Sequence, residues 1–156
     1  MMTSDVIFKQ EFKIQGGDFI NGGDASCQIG TILKEVGVEP DIILRATVAA
    51  YEAEMNVVIY AREGTMVFSI DNDKIVLKVR DKGQGIEDID QAMQAGYSTA
   101  TEEIREMGFG AGMGLPNIKK NADIFNLHSQ VGKGTQLEII IHLPPKNVKY
   151  IKEGEI

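Results

Sequence analysis

The chain has 156 residues, of which 25% are charged and 43% hydrophobic, the balance of a globular domain long enough to bury a core. A net charge of −7 argues against nonspecific nucleic-acid binding and favours basic or neutral partners, and the single cysteine, Cys27, excludes an internal disulfide or a thiolate-cluster metal site. The N-terminal Met-Met-Thr-Ser-Asp lacks the regions of a signal peptide, and no apolar run nears the roughly 20 residues of a membrane span, so a cytoplasmic location is expected.

Val6 to Ile14 alternates apolar and polar residues and is predicted as a half-buried strand. Gly16-Gly-Asp and Asn21-Gly-Gly-Asp24 carry turn chemistry. From Ala25 to Val36, the residues Cys27, Ile29, Ile32, Leu33 and Val36 fall at helical spacing, and Gly37 ends the segment. Pro40 suits the first turn of a second helix, Asp41 to about Arg62, rich in alanine and closed by Glu63-Gly64. Two strands follow, Met66 to Ile70 and Ile75 to Val79, joined through Asp71-Asn-Asp73. Residues 87–107 are polar and poorly patterned, with only short helical segments, and a connection of that length is a candidate functional loop. Leu115 to Phe125 is predicted helical, and Leu127 to Val131 with Gln136 to Leu143 form a last hairpin around Gly132-Lys-Gly134. The reading is α/β, with about five strands in one mixed sheet, three main helices on one face and a loop-rich edge. Residues 1–145 are expected to form a single domain, and residues 146–156, after Pro144-Pro145, a tail.

Four places concentrate the chemistry. Gly108-Phe-Gly-Ala-Gly-Met-Gly-Leu115 carries glycine at every second position just before a helix, which lets backbone N–H groups approach an anion that the helix N-terminus favours. Glu52 and Asn56 lie four residues apart on one face of the second helix, with Arg45 on the same face. An Asn can give Mg²⁺ one neutral oxygen, and a Glu one turn away can orient or deprotonate a nucleophile attacking a γ-phosphate. Taken alone, the pair fits better a solvated face of an amphipathic helix, where polar residues on one side are the rule. Glu54 points elsewhere and is read as a solvated surface residue. Asp81, at a strand end before Gly83 and Gly85, can accept a hydrogen bond from an exocyclic amine such as that of adenine, while the glycines admit a flat base; an ordinary turn is the competing reading. Thr135 can donate its hydroxyl to a ligand or serve only as a β-branched strand residue. His128 and His142 are expected to pack or face solvent, and the seven methionines to fill gaps. In this order the four elements point to a nucleotide site.

Together, Glu52-x-x-x-Asn56, Asp81-x-Gly83-x-Gly85, Gly108-x-Gly110-x-Gly112-x-Gly114 and Gly134-Thr135 resemble the N box, the two glycine boxes and the closing Gly-Thr of the GHKL superfamily. That ATP-binding (Bergerat) fold is shared by gyrase, a heat-shock chaperone, histidine kinases and a mismatch-repair ATPase. Within it, Tyr51-Glu-Ala-Glu-Met-Asn56 with Tyr60-Ala61, and Gly112-Met-Gly-Leu-Pro-Asn-Ile-Lys-Lys120, look like the stand-alone anti-sigma factors and switch serine kinases of bacteria. The resemblance implies a two-layer sandwich with a mostly antiparallel sheet, and ATP and Mg²⁺ as cofactors beneath a lid of residues 87–113. It implies Glu52 as general base, Asn56 as Mg²⁺ ligand and Asp81 as adenine reader, with Gly83 and Gly85 shaping the base pocket. Gly108, Gly110, Gly112 and Gly114, with Leu115, would hold the phosphates, and Thr135 would close the base side. Ala111 departs from the larger aliphatic residue often found between these glycines, which loosens lid packing without removing a phosphate contact.

The implied activity is phosphoryl transfer to a serine or threonine of a small antagonist protein. A sigma factor is a second implied partner, and a homodimer is compatible with the chain. The alternative is a noncatalytic ATP-sensing module that sequesters its partner; Glu52 favours the kinase, because a pure binder needs no base there. The catalytic half of a histidine kinase would need a dimerisation helix with a phosphoacceptor histidine, which the sequence does not display, so it could work only in trans. Neither nucleic acid nor membrane is expected as a partner.

Overall fold

The computed structural model describes residues 6–145. Segments with period-two burial form the strands β1 (Phe8–Gln15), β2 (Ala61–Ile70), β3 (Lys74–Gly83), β4 (Ile124–Gln130) and β5 (Gly134–His142). They join in the order β1-β2-β3-β5-β4, and every pairing is antiparallel. The expectation of a mixed sheet is corrected on that point. The helical crossover after β3 returns β4 in the same direction as β3, but β5 turns back and inserts between them, so no parallel pair forms among the described residues.

Inward-facing residues line up in rows across the strands. Phe12, Met66, Val79, Leu137 and Leu127 stand opposite one another in register, and Phe68, Leu77, Ile139 and Phe125 form the next row. Phe68, Leu77 and Ile139 are fully buried, and each such side chain contributes about 1.5–3 kcal/mol by leaving water. The turn from β2 to β3 is held by Asp71, whose Oδ1 accepts the N–H groups of Asp73 and Lys74 at 2.7 and 2.9 Å.

The helices are α1 (Asp24–Val36), α2 (Pro40–Tyr60), α3 (Ile89–Ala92), α4 (Glu102–Glu106) and α5 (Gly114–Asn121). α2 is central: it lies over β1, β2, β3 and β5, with α1 along one flank and α5 along the other. Its Ala46, Ala49, Ala50 and Ala53 are fully buried, and their small size brings the helix close to its neighbours. α1 buries Ala25, Ile29 and Leu33, at i, i+4 and i+8; Cys27, grouped with that stripe in the sequence, is exposed instead.

Two helix ends differ from expectation for the same reason, strand pairing overriding local propensity. α2 stops at Tyr60 rather than Arg62, because Ala61 is extended and pairs with Gly83, while Glu63 and Gly64 pair with Gln15 and Ile14. α5 stops at Asn121 rather than Phe125, because Asp123 donates its N–H to Ile140 and Phe125 sits opposite Ile139. His128 and His142 are solvent-exposed. The expected tail, residues 146–156, lies outside the described residues. No described helix is long and apolar enough to cross a membrane.

Candidate functional site

α2 and α5 run antiparallel along a polar seam with three rungs. At one end the amide of Asn56 lies against the start of α5, where a Cβ built on Gly114 would come within 3.2 Å of Asn56 Oδ1. In the middle, Asn117 donates from Nδ2 to Glu52 Oε2 at 2.7 Å. At the far end, Arg45 donates to the carbonyl of Asn121 and to the carboxylate of Asp123, each at 3.1 Å. The second carboxylate oxygen of Asp123 accepts the N–H of His142 at 2.7 Å. That bond, with help from the Arg45 guanidinium, lowers the pKa of Asp123 against the opposing effect of burial.

The ends of β3 and β5 make a second cluster. Thr135 donates its N–H to Asp81 Oδ1 at 3.1 Å, and Gly134 passes so close to the Asp81 carbonyl that no side chain would fit there. Burial raises the pKa of Asp81, and the N–H groups of Thr135 and Gly83 offset part of that rise. Ser129, not singled out in the sequence, ties this cluster together. It accepts the N–H of Ile86 at 2.8 Å, donates to the Gly134 carbonyl at 3.1 Å, and lies 2.8 Å from Thr135 Oγ1.

Between these clusters runs the glycine loop. Gly108, Gly110 and Gly112 have φ of 92°, 75° and 79°, a region that side chains rarely adopt. A Cβ on Gly110 would overlap that of Ala100, and one on Gly112 would lie 2.5 Å from the Tyr97 carbonyl. The loop thus folds directly onto residues 96–100, with Gly96 donating to the Gly112 carbonyl at 2.9 Å. Ser98 fastens the same segment to α2 through Tyr60, hydroxyl to hydroxyl at 3.1 Å, and Arg105 donates to the Ser98 carbonyl at 2.8 Å. Phe109 packs its ring on Phe19 at 5.1 Å. No described residue between Val79 and Ile118 is buried, so this connection is held by surface contacts and a few hydrogen bonds.

These elements enclose a cavity of about 620 Å³, within the range of small-ligand sites. Glu52, Asn56, Asp81, Gly83, Gly85, Gly108, Gly110, Gly112, Gly114, Leu115 and Thr135 all line it, so the structure brings these residues into one space, while Arg45 and Gly134 lie outside its lining. Asn117 contacts the site through Glu52; its residue type stood in the quoted glycine-box segment, but nothing local marked its target. No described side chain caps α5, which leaves its N-terminal N–H groups for an anion. The arrangement suits a ligand with a flat, amine-bearing base at Asp81 and a phosphate chain at α5. No described cluster of three or more His, Cys, Asp or Glu could hold a metal by itself. The amide oxygen of Asn56 is a single neutral donor, of the kind a hard cation such as Mg²⁺ can take beside phosphate oxygens and water.

Glu54 corrects a sequence expectation. It is not solvated but 3% exposed, with its carboxylate accepting the N–H groups of Gly23, Ala25 and Ser26 at 2.9, 3.2 and 3.1 Å. α1 begins at a Gly23 cap that has no side chain, and the carboxylate from α2 takes over the capping role.

Residues 26–141 match the family described as the histidine kinase-like ATPase domain. The serine/threonine-protein kinase RsbT of Bacillus subtilis is 35% identical over 121 residues, covering 74% of this chain and 85% of that protein. An anti-sigma F factor of Caldanaerobacter subterraneus subsp. tengcongensis is 39% identical over 93 residues, covering 56% of this chain and 61% of that protein. The fold is similar to that in the crystal structure of the SiaB-SiaC complex from Pseudomonas aeruginosa, with a TM-score of 0.55 over 87% of this chain and 91% of that one. At 15% identity that likeness speaks for the fold alone. By its sequence match, its antiparallel sheet under three main helices and the cavity between its glycine boxes, this chain belongs to the histidine kinase-like ATPase domain family.

Proposed function

We propose that the chain is an ATP-dependent serine/threonine protein kinase that phosphorylates a small antagonist protein in the cytoplasm and regulates transcription by partner switching. The observation that carries this reading is Glu52, a carboxylate in the nucleotide cavity one turn from Asn56 and fixed by Asn117. The kinase RsbT and the anti-sigma F factors among its relatives support the class of activity.

Asp81 accepts the adenine amine, Gly83 and Gly85 leave room for the ring, and Thr135 closes its edge. The N–H groups of the glycine loop and of α5, from Gly108 to Leu115, neutralise the phosphates. Asn56 would hold Mg²⁺, which when bound supplies charge neutralisation on the phosphate oxygens. Glu52 takes the proton of the partner's serine hydroxyl. The serine oxygen then forms a bond to the γ-phosphorus, the bond from that phosphorus to the bridging oxygen breaks, and ADP leaves with the electron pair.

The test is single-turnover transfer from γ-labelled ATP to candidate partners encoded near the gene, for the parent and for Glu52→Ala. A base contributes about 10²–10⁴-fold to rate with little ground-state binding, so the variant should lose transfer and keep ATP affinity. Transfer at the parental rate by Glu52→Ala would show that Glu52 is not the base. A second reading, an ATP-responsive module that sequesters a sigma factor, is favoured by the relatives named as anti-sigma factors. A parent that binds a partner in an ATP-dependent way yet transfers no phosphate would select it.

A further inference from the structure

We propose that Asn117 is a positioning residue for phosphoryl transfer, aiming the Glu52 carboxylate from the helix that carries the phosphate-binding glycines. This rests on the reading of Glu52 as the base.

A carboxylate on a helix has freedom about its last torsion, and a base must point one oxygen at the hydroxyl it deprotonates. Asn117 Nδ2 holds Glu52 Oε2 at 2.7 Å, at the short end of N–H···O bonds, and leaves Oε1 for the nucleophile. Asn117 is itself fixed on α5: its N–H donates to the Met113 carbonyl at 2.9 Å, and its carbonyl accepts Asn121 Nδ2 at 2.8 Å. α5 starts at Gly114, three positions earlier, where Asn56 abuts the last glycine of the loop. Arg45 pins the far end of α5 through Asn121 and Asp123, away from the cavity. The seam therefore registers the base against the phosphate-binding backbone. Any displacement of the start of α5 displaces the donor that orients Glu52, so the base is aimed only when the glycine loop sits in its cradle.

The test uses full-length protein and γ-labelled ATP with Mg²⁺, with water as the acceptor, so that no protein partner is needed. Single-turnover cleavage and the equilibrium Kd for ATP are measured for the parent, Asn117→Ala, Asn117→Asp, Glu52→Gln and the double variant Glu52→Gln/Asn117→Ala, with thermal melts as a control for folding. Misplacing a reacting group by about 1 Å can cost up to about 10²-fold, so Asn117→Ala and Asn117→Asp should slow cleavage roughly 10- to 100-fold. Their Kd for ATP should stay within about threefold of the parent, since the donor acts on Glu52 and not on the nucleotide. The double variant should cleave no more slowly than Glu52→Gln alone, because an aim has no value once the base is gone. An equal further slowing in the Glu52→Gln background would assign Asn117 a merely structural role, and an unchanged rate in Asn117→Ala would remove it from the reaction. If Glu52→Gln itself cleaves at the parental rate, the base reading falls and the positioning role with it.

Discussion

Asp81→Asn separates nucleotide recognition from folding. In the parent, Asp81 Oδ1 accepts the N–H of Thr135 at 3.1 Å and the Gly83 N–H also favours the carboxylate, whose remaining lone pairs are the proposed acceptor of the adenine amine. In the asparagine variant the amide oxygen keeps the Thr135 bond, and the NH₂ then meets the adenine amine donor against donor. Loss of one charge-assisted hydrogen bond costs about 1.5–3 kcal/mol, so ATP affinity should fall roughly 10- to 100-fold by calorimetry. The folded protein should not suffer. Burial raises the Asp81 pKa above its unfolded value, so the ionised group costs stability at neutral pH, and a neutral amide should leave the ligand-free melting temperature at or above that of the parent. The same shift makes recognition pH-dependent. As pH falls through the raised pKa, the carboxylate takes a proton and the parent's ATP affinity should drop, at a higher pH than for an unperturbed Asp. Titration of the ATP phosphates is common to both proteins, so the difference between their two slopes isolates Asp81. Equal affinity in the two proteins, or weakened binding accompanied by a melting temperature several degrees lower, would refute the assignment.

Glu54→Ala should destabilise the fold by about 3–5 kcal/mol in urea unfolding, since it orphans three N–H groups of α1 and removes a charge at the helix N-terminus; a change below about 0.5 kcal/mol would contradict the capping role. Asp123 has a lowered pKa, held down first by the His142 N–H, so its contribution is full at neutral pH and is lost as pH falls below about 4. Asp123→Asn should therefore cost about 0.5–1 kcal/mol at pH 7 and flatten the acid limb of the stability curve, and parallel curves for the two proteins would count against this. Residues 87–107, none of them buried, should exchange amide hydrogens quickly without nucleotide and become protected with ATP and Mg²⁺; high protection already in the ligand-free protein would argue against a lid.

The central strands were readable because Met66, Phe68 and Ile70, like Ile75, Leu77 and Val79, alternate with more exposed residues, and that alternation is written locally. The glycine loop was readable for a similar reason: Gly108, Gly110 and Gly112 adopt φ values that leave a compositional mark. Ala61 to Gly64 and Ala122 to Phe125 look from local pattern like parts of helices or their ends, because their partners, on β1, β3 and β5, are distant in the chain. Glu54 looks solvated from its local sequence because its three donors lie 28 to 31 residues away. Asn117 carried no local sign of its target, since its meeting with Glu52 depends on two helices running antiparallel in one register. Local geometry is legible in a single sequence; a side chain whose role is decided by a remote partner is not.

The remote cap on α1 has a consequence for the order of folding. An isolated helix of this length is marginal in water, and α1 begins without a side-chain cap of its own. Its first turn is completed only when Glu54 arrives on α2, after the intervening chain has closed a loop. α1 is therefore expected to condense late, onto an α2 already seated on the sheet, making its N-terminal turn one of the last parts of the core to form and one of the first to fray. In folding kinetics, Glu54→Gln should then appear as faster unfolding with a nearly unchanged folding rate, whereas a proportionate slowing of folding would place the α1–α2 junction in the nucleus.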